Sequence, residues 1–599
     1  MLRTIRAGLT AARPVTAWRW ASLLWVTSTA LLLLINQYRN GPAVLADELG
    51  YIGVARFLAG AAPLPNMFTA SFYHFGYSLF IVPAFWLGTD PVSAYRWIMV
   101  INCLLVAAIA PLSYIFARKV LRAEHGAALL MALLALIYPA NAVQTNSAWS
   151  ENVLTPLFLL WVLGLFAVSA NPKPLRLIGL SLLAPLLYLV HPRMLGVEAL
   201  TLVYLVFATM VMDGRRTRFA LASVILVVAH LLVTRALRDM RHVAYETPFG
   251  SIHGFLHLLT QFPAGRLPAA ASGEAMYLSC GSDALILIGL VGLCWTSVRD
   301  FRAHSTTGMS LTALVRTPMF WAILGVLSIF AASTITMSSG TRLDHWLYGR
   351  YVDPTTPILL MAGFAVIQKQ TLIRRIAPWL VIVLLLACPI WLYGKNVTTP
   401  FIAYGNIPTI APLLFVLHQL GSGVSLDFAV VVLLTLAPII FIAACGKRAA
   451  LPIVCLYICS SVLTIYFWHR HLVGSSAYPV AIKQAHHELW QGHLLQDKIF
   501  VDRSAFADAD LIPLFYRMQF FLDKNHFIVV MPADFHHKCL PNAPTDSTFT
   551  EERTIIHLTA KSALWVNKDT GTASTVCIGK LSQMVNSVRL PQAGTHSSA

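Results

Sequence analysis

Blocks of apolar residues that are long enough to cross a lipid bilayer recur throughout the first 470 residues of the chain. A helix needs about 20 predominantly apolar residues to span the hydrocarbon core. The composition points the same way, because 57% of the residues are hydrophobic and only 12% are charged, about half the charged fraction of a soluble protein. We therefore predict an all-α polytopic membrane protein.

Length and apolarity predict about thirteen transmembrane helices, at residues 20–36, 96–117, 127–145, 152–169, 176–190, 195–211, 219–236, 283–298, 319–337, 354–368, 376–393, 426–445 and 450–468. Every second loop is basic, from Arg118-Lys119 to Lys447-Arg448. This is the positive-inside pattern of a multi-pass protein in a cell membrane, such as a bacterial inner membrane. It predicts a cytoplasmic N-terminus and an outer C-terminus, and it explains the net charge of +17 without a nucleic-acid partner.

The predicted domains are a transmembrane domain at 1–470 and an extracytoplasmic soluble domain at 471–599. In the first, residues 37–95 form a large outer loop with a short helix from Asp47 to Ala59 and an interfacial stretch from His74 to Trp86.

The C-terminal region is polar and has the pattern of a small α/β domain. Strand-like runs occur at 499–501, 527–530 and 554–558, and a helical stretch occurs at 508–522. If this region is exported, Cys539 and Cys577 are candidates for a disulfide, although sequence does not give their distance.

Carboxylates occur at two predicted outer positions. Asp47 and Glu48 are adjacent in the first turn of the predicted outer helix, and Glu151 follows the third span. A carboxylate at such a site can act as a general base, and a pair can bind a cation. Either position can equally be a solvated acid that interacts with a helix dipole.

Basic and aromatic side chains occur at the same predicted face. His191-Pro-Arg193 lies between two apolar segments, and Tyr348, Arg350 and Tyr351 precede the tenth span, while His74 and Tyr77 lie in the first loop. Arginine suits phosphate because its planar group donates two parallel hydrogen bonds. The alternatives are an arginine that snorkels to lipid phosphate and a salt bridge within an outer loop.

These motifs together resemble the GT-C superfamily of integral-membrane glycosyltransferases, which includes aminoarabinose, mannosyl and arabinofuranosyl transferases. The resemblance is carried by Ala46-Asp-Glu-Leu-Gly-Tyr-Ile52, His74-Phe-Gly-Tyr-Ser-Leu79, Ser150-Glu151, His191-Pro-Arg193 and Gly349-Arg-Tyr-Val-Asp-Pro354. Their order and sidedness match such proteins over roughly the first 370 residues.

The resemblance implies inverting transfer of a sugar from a polyprenyl-phosphate donor to a hydroxyl of a glycan, lipid or protein at the outer face. Asp47 matches the catalytic base, Glu48 the second position of the acidic pair, and Glu151 an acid of the second outer loop. Arg193 and Arg350 match arginines near the donor phosphate, and His74, Tyr77, His191, Tyr348 and Tyr351 are further substrate-binding candidates.

Other functions remain open at this point. A flippase or transporter for lipid-linked sugars would have inverted repeats and paired broken helices, and we find no such pairing. An O-antigen ligase or polymerase would depend on a large late outer loop. A third alternative is a non-catalytic assembly factor that acts through residues 480–599. No cofactor is implied with certainty, and a divalent cation is an option.

Overall fold

The computed structural model describes residues 14–36, 41–42, 45–60, 73–244, 263–304, 311–340, 342–368, 404–420, 424–473, 499–501, 553–559, 562–567 and 575–580. Up to residue 473, the regular elements that it describes are helices. The predicted span at 376–393, the predicted strand at 527–530, the helical stretch at 508–522 and Cys539 lie outside these residues.

Helices before the predicted basic loop at residue 215 carry most of the site. They are α1 (Pro14–Ile35), α2 (Leu45–Leu58), α3 (Gly76–Leu87), α4 (Pro91–Ala107), α5 (Ile109–Phe116), α6 (His125–Leu136), α7 (Pro139–Gln144), α8 (Glu151–Ala170), α9 (Pro174–Val190) and α10 (Leu195–Val211). A π-helical turn, Ala117–Leu121, follows α5, and a 3-10 turn, Pro192–Met194, joins α9 to α10.

The later helices are α11 (Arg216–Ala244), α12 (Leu267–Cys280), α13 (Leu285–His304), α14 (Leu311–Val315), α15 (Pro318–Met337), α16 (Leu343–Trp346), α17 (Thr356–Ile367), α18 (Ala411–Gln419), α19 (Val424–Cys445) and α20 (Ala450–Phe467). Short 3-10 turns occur at Ala264–Arg266, Asp353–Thr355, Tyr404–Asn406 and Gly446–Ala449, and a π-helical turn at Trp468–Val473.

The sequence explains where several helices begin. Asp90 precedes α4, and its carboxylate accepts hydrogen bonds from the amides of Val92 and Ser93, while the Ser93 hydroxyl accepts from the Asp90 amide. This reciprocal arrangement is a capping box. Proline occupies the first turn of α7, α9 and α15, where its missing amide hydrogen costs nothing.

The described helices make the chain a multi-pass membrane protein. Six of them are long and apolar enough to cross a membrane, or seven if one bent pair counts as a span, within the part of the chain that the structure describes. Several other predicted spans coincide with apolar helices of 10–17 residues, such as α9 and α6. The count of thirteen spans therefore stays a prediction.

The bent pair consists of Ala264–Cys280 and Leu285–Arg302, which meet at 111°. Asp283 and Ala284 at the break have left-handed backbone angles, with φ of 48° and 68°, a conformation that L-residues seldom adopt. The hydroxyl of Ser460 donates to Oδ2 of Asp283 at 2.9 Å and so ties the break to α20.

Close helix packing brings α13 against α17. A Cβ atom at Gly289 would overlap the carbonyl oxygen of Leu359, and one at Gly363 would overlap that of Leu285. Small residues let membrane helices approach in this way. The α13–α17 contact supports the segment before α17, which carries part of the site described below.

Four strands, β1 (Ile499–Val501), β2 (Arg553–Thr559), β3 (Ser562–Asn567) and β4 (Thr575–Lys580), form one sheet in the order β1-β4-β3-β2. β1 is parallel to β4, and the other pairs are antiparallel. The strands predicted at 499–501 and 554–558 are thus confirmed. The soluble α/β domain at 471–599 and its boundary stay predictions.

Candidate functional site

Asp47, in the first turn of α2, is partly accessible and has two partners. Oδ1 accepts a hydrogen bond from the Tyr73 hydroxyl at 2.7 Å, and Oδ2 accepts one from Nη1 of Arg350 at 2.5 Å. The Asp47 side chain keeps 29% of its surface exposed, whereas that of Arg350 keeps 2%. Asp47 therefore lies at the surface of a buried charge cluster.

Glu151, at the start of α8, is the centre of that cluster. Its Oε1 accepts a hydrogen bond from Nη2 of Arg193 at 2.9 Å and lies 3.3 Å from Nε of Arg350. The second distance permits charge pairing but lacks hydrogen-bond alignment. Glu151 and both arginine side chains are buried, so one carboxylate holds two cations together.

Arg350 is positioned by its backbone. The amides of Gly349 and Arg350 both donate to the carbonyl oxygen of Asn406, at 3.1 and 3.2 Å. A Cβ atom at Gly349 would overlap the ring of Tyr277, so only glycine fits this close approach. Downstream, the carboxylate of Asp353 accepts hydrogen bonds from the hydroxyls of Tyr138 and Tyr277.

An aromatic ring packs against the guanidinium group of each arginine. The guanidinium carbon of Arg350 lies 4.1 Å from the centre of the Trp149 ring, and that of Arg193 lies 4.6 Å from the centre of the Tyr351 ring. Such contacts stabilise a buried cation that cannot reach water. The Tyr348 ring packs edge-on against Tyr351, with centroids 4.7 Å apart.

His191 orients the Arg193 segment. Its Nδ1 accepts a hydrogen bond from the Arg193 amide at 3.3 Å, and its ring packs against Tyr351. Burial and the neighbouring charge of Arg193 lower the pKa of His191 well below its usual range. The imidazole is thus neutral and acts as an acceptor at Nδ1.

The charges of the cluster determine the protonation states of Arg350 and Tyr73. Burial alone would lower the pKa of Arg350, but the negative charges around it, led by Glu151, raise that pKa well above its usual value. Burial, and then Asp47, raise the pKa of Tyr73. Arg350 is therefore always a cation, and Tyr73 always carries the proton that it donates to Asp47.

Glu48 lies elsewhere, although it neighbours Asp47 in sequence. It is fully buried, and its Oε2 accepts hydrogen bonds from the Tyr95 hydroxyl and from the Ala148 amide. The carboxylate thereby ties α2 to α4 and to the segment before Glu151. The structure does not bring Glu48 to the accessible side of the cluster, which does not favour the catalytic role that was expected.

His74 and Tyr77 are also separate from the charge cluster. The Tyr77 hydroxyl is buried and donates to Oδ1 of Asn102. Nδ1 of His74 lies 2.6 Å from the carbonyl oxygen of Tyr188, so this nitrogen must carry the proton. Burial lowers the pKa of His74 to about 4, and its ring is neutral.

Sequence reasoning missed Tyr73 and Trp149, which contact Asp47 and Arg350 directly. Each lies within two residues of a predicted site residue, His74 or Glu151. Proximity to charged candidates was the only available indication, since neither aromatic residue belongs to a spaced motif.

A divalent cation does not fit the predicted acidic pair. The oxygens of Asp47 are engaged by Arg350 and Tyr73, and Glu48 faces Tyr95 and Ala148. Among the described residues, no group of three or more His, Cys, Asp or Glu side chains is arranged to hold a metal ion.

The cluster does retain unused donors. Nε and Nη1 of Arg193 and Nε of Arg350 are buried and have no hydrogen-bond partner within the described part of the chain. Leaving such groups unpaired is costly. Two arginines and two carboxylates cancel in formal charge, so an anion would be recognised through these N–H groups rather than through net charge.

Two solved structures resemble the fold over most of its length. ArnT from Cupriavidus metallidurans in the apo state matches with 16% identity and a TM-score of 0.46, covering 88% of this chain and 89% of that one. ArnT bound to undecaprenyl phosphate matches with 16% identity and a TM-score of 0.45, covering 87% and 88%.

No protein-family model matches the chain, and a search of curated proteins gave no match. A structural likeness of this degree does not assign an activity, so the function is inferred from the site residues.

Proposed function

We propose that the protein transfers a sugar from a polyprenyl-phosphate donor to an acceptor hydroxyl, with inversion, at the outer face of the membrane. The observation that carries the proposal is the cluster of Asp47, Arg350, Glu151 and Arg193, which pair with one another although they lie far apart in the chain. It combines an accessible carboxylate with buried guanidinium donors that lack partners among the described residues.

Asp47 is the proposed general base. Of the three candidate acids, Glu48 and Glu151 are fully buried, and only Asp47 has an accessible side chain. An acceptor hydroxyl can reach a carboxylate oxygen there without unfolding the cluster. Tyr73 and Arg350 fix the orientation of that carboxylate.

Arg193 and Arg350 are the proposed phosphate-binding residues. Their unpaired N–H groups can donate to phosphate oxygens, and such charge-assisted bonds are about twice as strong as neutral ones. Because Glu151, Trp149 and Tyr351 already hold the guanidinium groups in place, little reorganisation is needed as charge develops on the leaving phosphate.

The proposed step is a single displacement. The acceptor hydroxyl gives its proton to Asp47 as its oxygen forms a bond to the anomeric carbon of the donor sugar. The bond from that carbon to the phosphate oxygen breaks, and polyprenyl phosphate leaves with the electron pair. Attack from the face opposite the leaving group inverts the anomeric configuration.

Glu48 and Glu151 are proposed as positioning residues. Glu151 holds the two arginines at a common oxygen, and Glu48 fixes the helix that carries Asp47 to the segment that carries Trp149. Neither carboxylate has an exposed atom with which to take a proton from an acceptor.

The test is a transfer assay with the purified full-length protein and a polyprenyl-phosphate sugar. Loss of a general base costs 10²–10⁴-fold in rate, so Asp47→Asn should lower kcat by about 100-fold or more while KM for the donor changes little. Arg193→Gln should lower kcat and should also raise KM for the sugar donor, since it removes N–H groups that would bind the phosphate.

Asp213→Asn is the matched control, because Asp213 is an exposed acid that pairs only with the exposed Arg216 among the described residues. It should keep full turnover. Near-normal turnover in Asp47→Asn would disprove the base assignment. Transport of the lipid-linked sugar across liposomes, with no glycosidic product, would show a flippase instead.

A further inference from the structure

The C-terminal half of α11 carries exposed arginines where the helix leaves the membrane on the side of the charge cluster. Val224, Val228 and Leu231 form an apolar stripe on α11, and Arg235 and Arg238 continue it at the same helical spacing. Residues three and four apart share one helix face. The two arginines therefore lie at the C-terminal end of a lipid-facing apolar stripe.

A contact between α11 and α10 shows how far along the helix axis these arginines lie relative to the charge cluster. Nδ1 of His230 on α11 lies 3.1 Å from Oε2 of Glu198 on α10, and Arg193 lies five residues before Glu198. A helix rises about 1.5 Å per residue, and the two helices run in opposite directions. Arg235 is thus near the level of Arg193, and Arg238 is about 4.5 Å further out.

The length of α11 independently places Arg238 at a membrane boundary. Twenty residues separate Arg218 from Arg238, which corresponds to about 30 Å of helix and equals the thickness of the hydrocarbon core. Arg238 therefore lies at the headgroup layer, and Arg235, about 4.5 Å deeper, reaches that layer by extending its long side chain. Basic residues are scarce on outer loops under the positive-inside rule, so their presence here indicates an anionic contact.

The local charge supports the same conclusion. Arg235 is 80% exposed, and Nε of Arg235 pairs at 3.6 Å with Asp239, which is itself 62% exposed. Exposed pairs of this kind contribute little free energy and leave Arg235 available. Asp239 offsets one of the positive charges on the face, and Arg238 adds a further cation.

We propose that Arg235 and Arg238 bind the phosphate headgroup of an anionic phospholipid in the leaflet that adjoins the charge cluster. The Val224–Leu231 stripe would contact the acyl chains of that lipid, and the guanidinium groups would contact its phosphate. The proposal does not depend on the transfer reaction, and it commits to a bulk membrane phospholipid rather than to a polyprenyl phosphate.

The experiment uses the full-length protein in nanodiscs of equal parts phosphatidylglycerol and phosphatidylcholine, with lipid retention measured by native mass spectrometry. Each basic residue at a charged lipid surface contributes roughly 1 kcal/mol, or about fivefold in affinity. The double variant Arg235→Gln/Arg238→Gln should retain at least fivefold less phosphatidylglycerol than the wild type. Size-exclusion profiles confirm that the variants remain folded.

Asp239→Asn provides a control of opposite sign, because it removes the competing negative charge and should increase phosphatidylglycerol retention. Arg235→Lys/Arg238→Lys keeps both charges and should retain most of it. Unchanged retention in the glutamine double variant would overturn the proposal, as would reduced retention in Asp239→Asn. Displacement of phosphatidylglycerol from this face by added polyprenyl phosphate would also overturn it, because the donor would then be the occupant.

Discussion

Glu151→Gln separates the structural role of this acid from a catalytic one. The substitution keeps the size of the side chain and an oxygen that can accept a hydrogen bond, but it removes the negative charge between two buried guanidinium groups. Arg350 keeps Asp47 as a counter-ion, whereas Arg193 has no second acid within ion-pair distance among the described residues. We therefore expect Arg193 to be buried with an uncompensated charge.

Glu151→Gln should lower the free energy of unfolding strongly, although it exchanges only one oxygen for an amino group. Removing one partner of a buried ion pair costs about 3–5 kcal/mol, and the remaining amide oxygen places Glu151→Gln near the lower end of that range. Asp47→Asn breaks a pair that is partly exposed at Asp47, and Glu151 still faces Arg350. Asp47→Asn should therefore lower the free energy of unfolding by about 1 kcal/mol or less.

Reversible unfolding in mixed micelles, titrated with sodium dodecyl sulfate, measures both values on the purified protein. The double variant Glu151→Gln/Arg193→Gln removes both charges of the pair, so it should be clearly more stable than the sum of the single losses predicts. The reasoning fails if Glu151→Gln unfolds at the wild-type midpoint, or if Asp47→Asn is destabilised as much as Glu151→Gln.

Three further results are expected. Tyr73→Phe should lower transfer about tenfold with little effect on folding, because Asp47 loses one of its two orienting partners; an unchanged kcat would remove Tyr73 from the site. Gly349→Ala should lower thermal stability and activity together, because its methyl group overlaps the Tyr277 ring; a wild-type melting profile would contradict this packing. Burial lowers the pKa of His74 from 6.5 to about 4, so the unfolded chain binds a proton in this window that the folded chain does not, and stability falls as the pH decreases from 6.5 towards 4. His74→Asn should flatten a profile of unfolding free energy against pH over that range by up to about 3 kcal/mol, and an unaltered slope would show that His74 does not cause the effect.

Sidedness allowed the convergence of distant residues to be predicted. Asp47, Glu151, Arg193 and Arg350 were assigned to one membrane face from loop charge alone, and the structure brings all four into one cluster. Basic loops report orientation reliably because each span reverses the chain. The pairing between the four residues is a tertiary property and could not be read from spacing.

Neighbouring acids could not be distinguished in the same way. Successive residues on a helix point about 100° apart, so Asp47 and Glu48 can have different surroundings. The sequence pair alone does not show which of them turns inward. The choice is made by Tyr95 and the Ala148 amide, which receive Glu48, and both lie far from it in sequence.

The number of transmembrane spans was difficult to predict because several helices are bent or interrupted. Apolar length is a good criterion for straight helices, but α9 contains Pro185 and the α12–α13 pair breaks at residues 281–284. A bend or an internal proline is not visible to a criterion that counts apolar residues alone.

The bond from Arg350 to Asp47 joins residues that are 303 positions apart in the chain, and the Arg350 backbone is held by Asn406. Long-range contacts of this kind form late, because a large loop must close first. During synthesis, the pair of Glu151 and Arg193 can assemble while Asp47 still lacks its cation. We expect a nascent chain that ends before residue 406 to be inserted in the membrane but inactive, so that the site matures only when the later helices have been made.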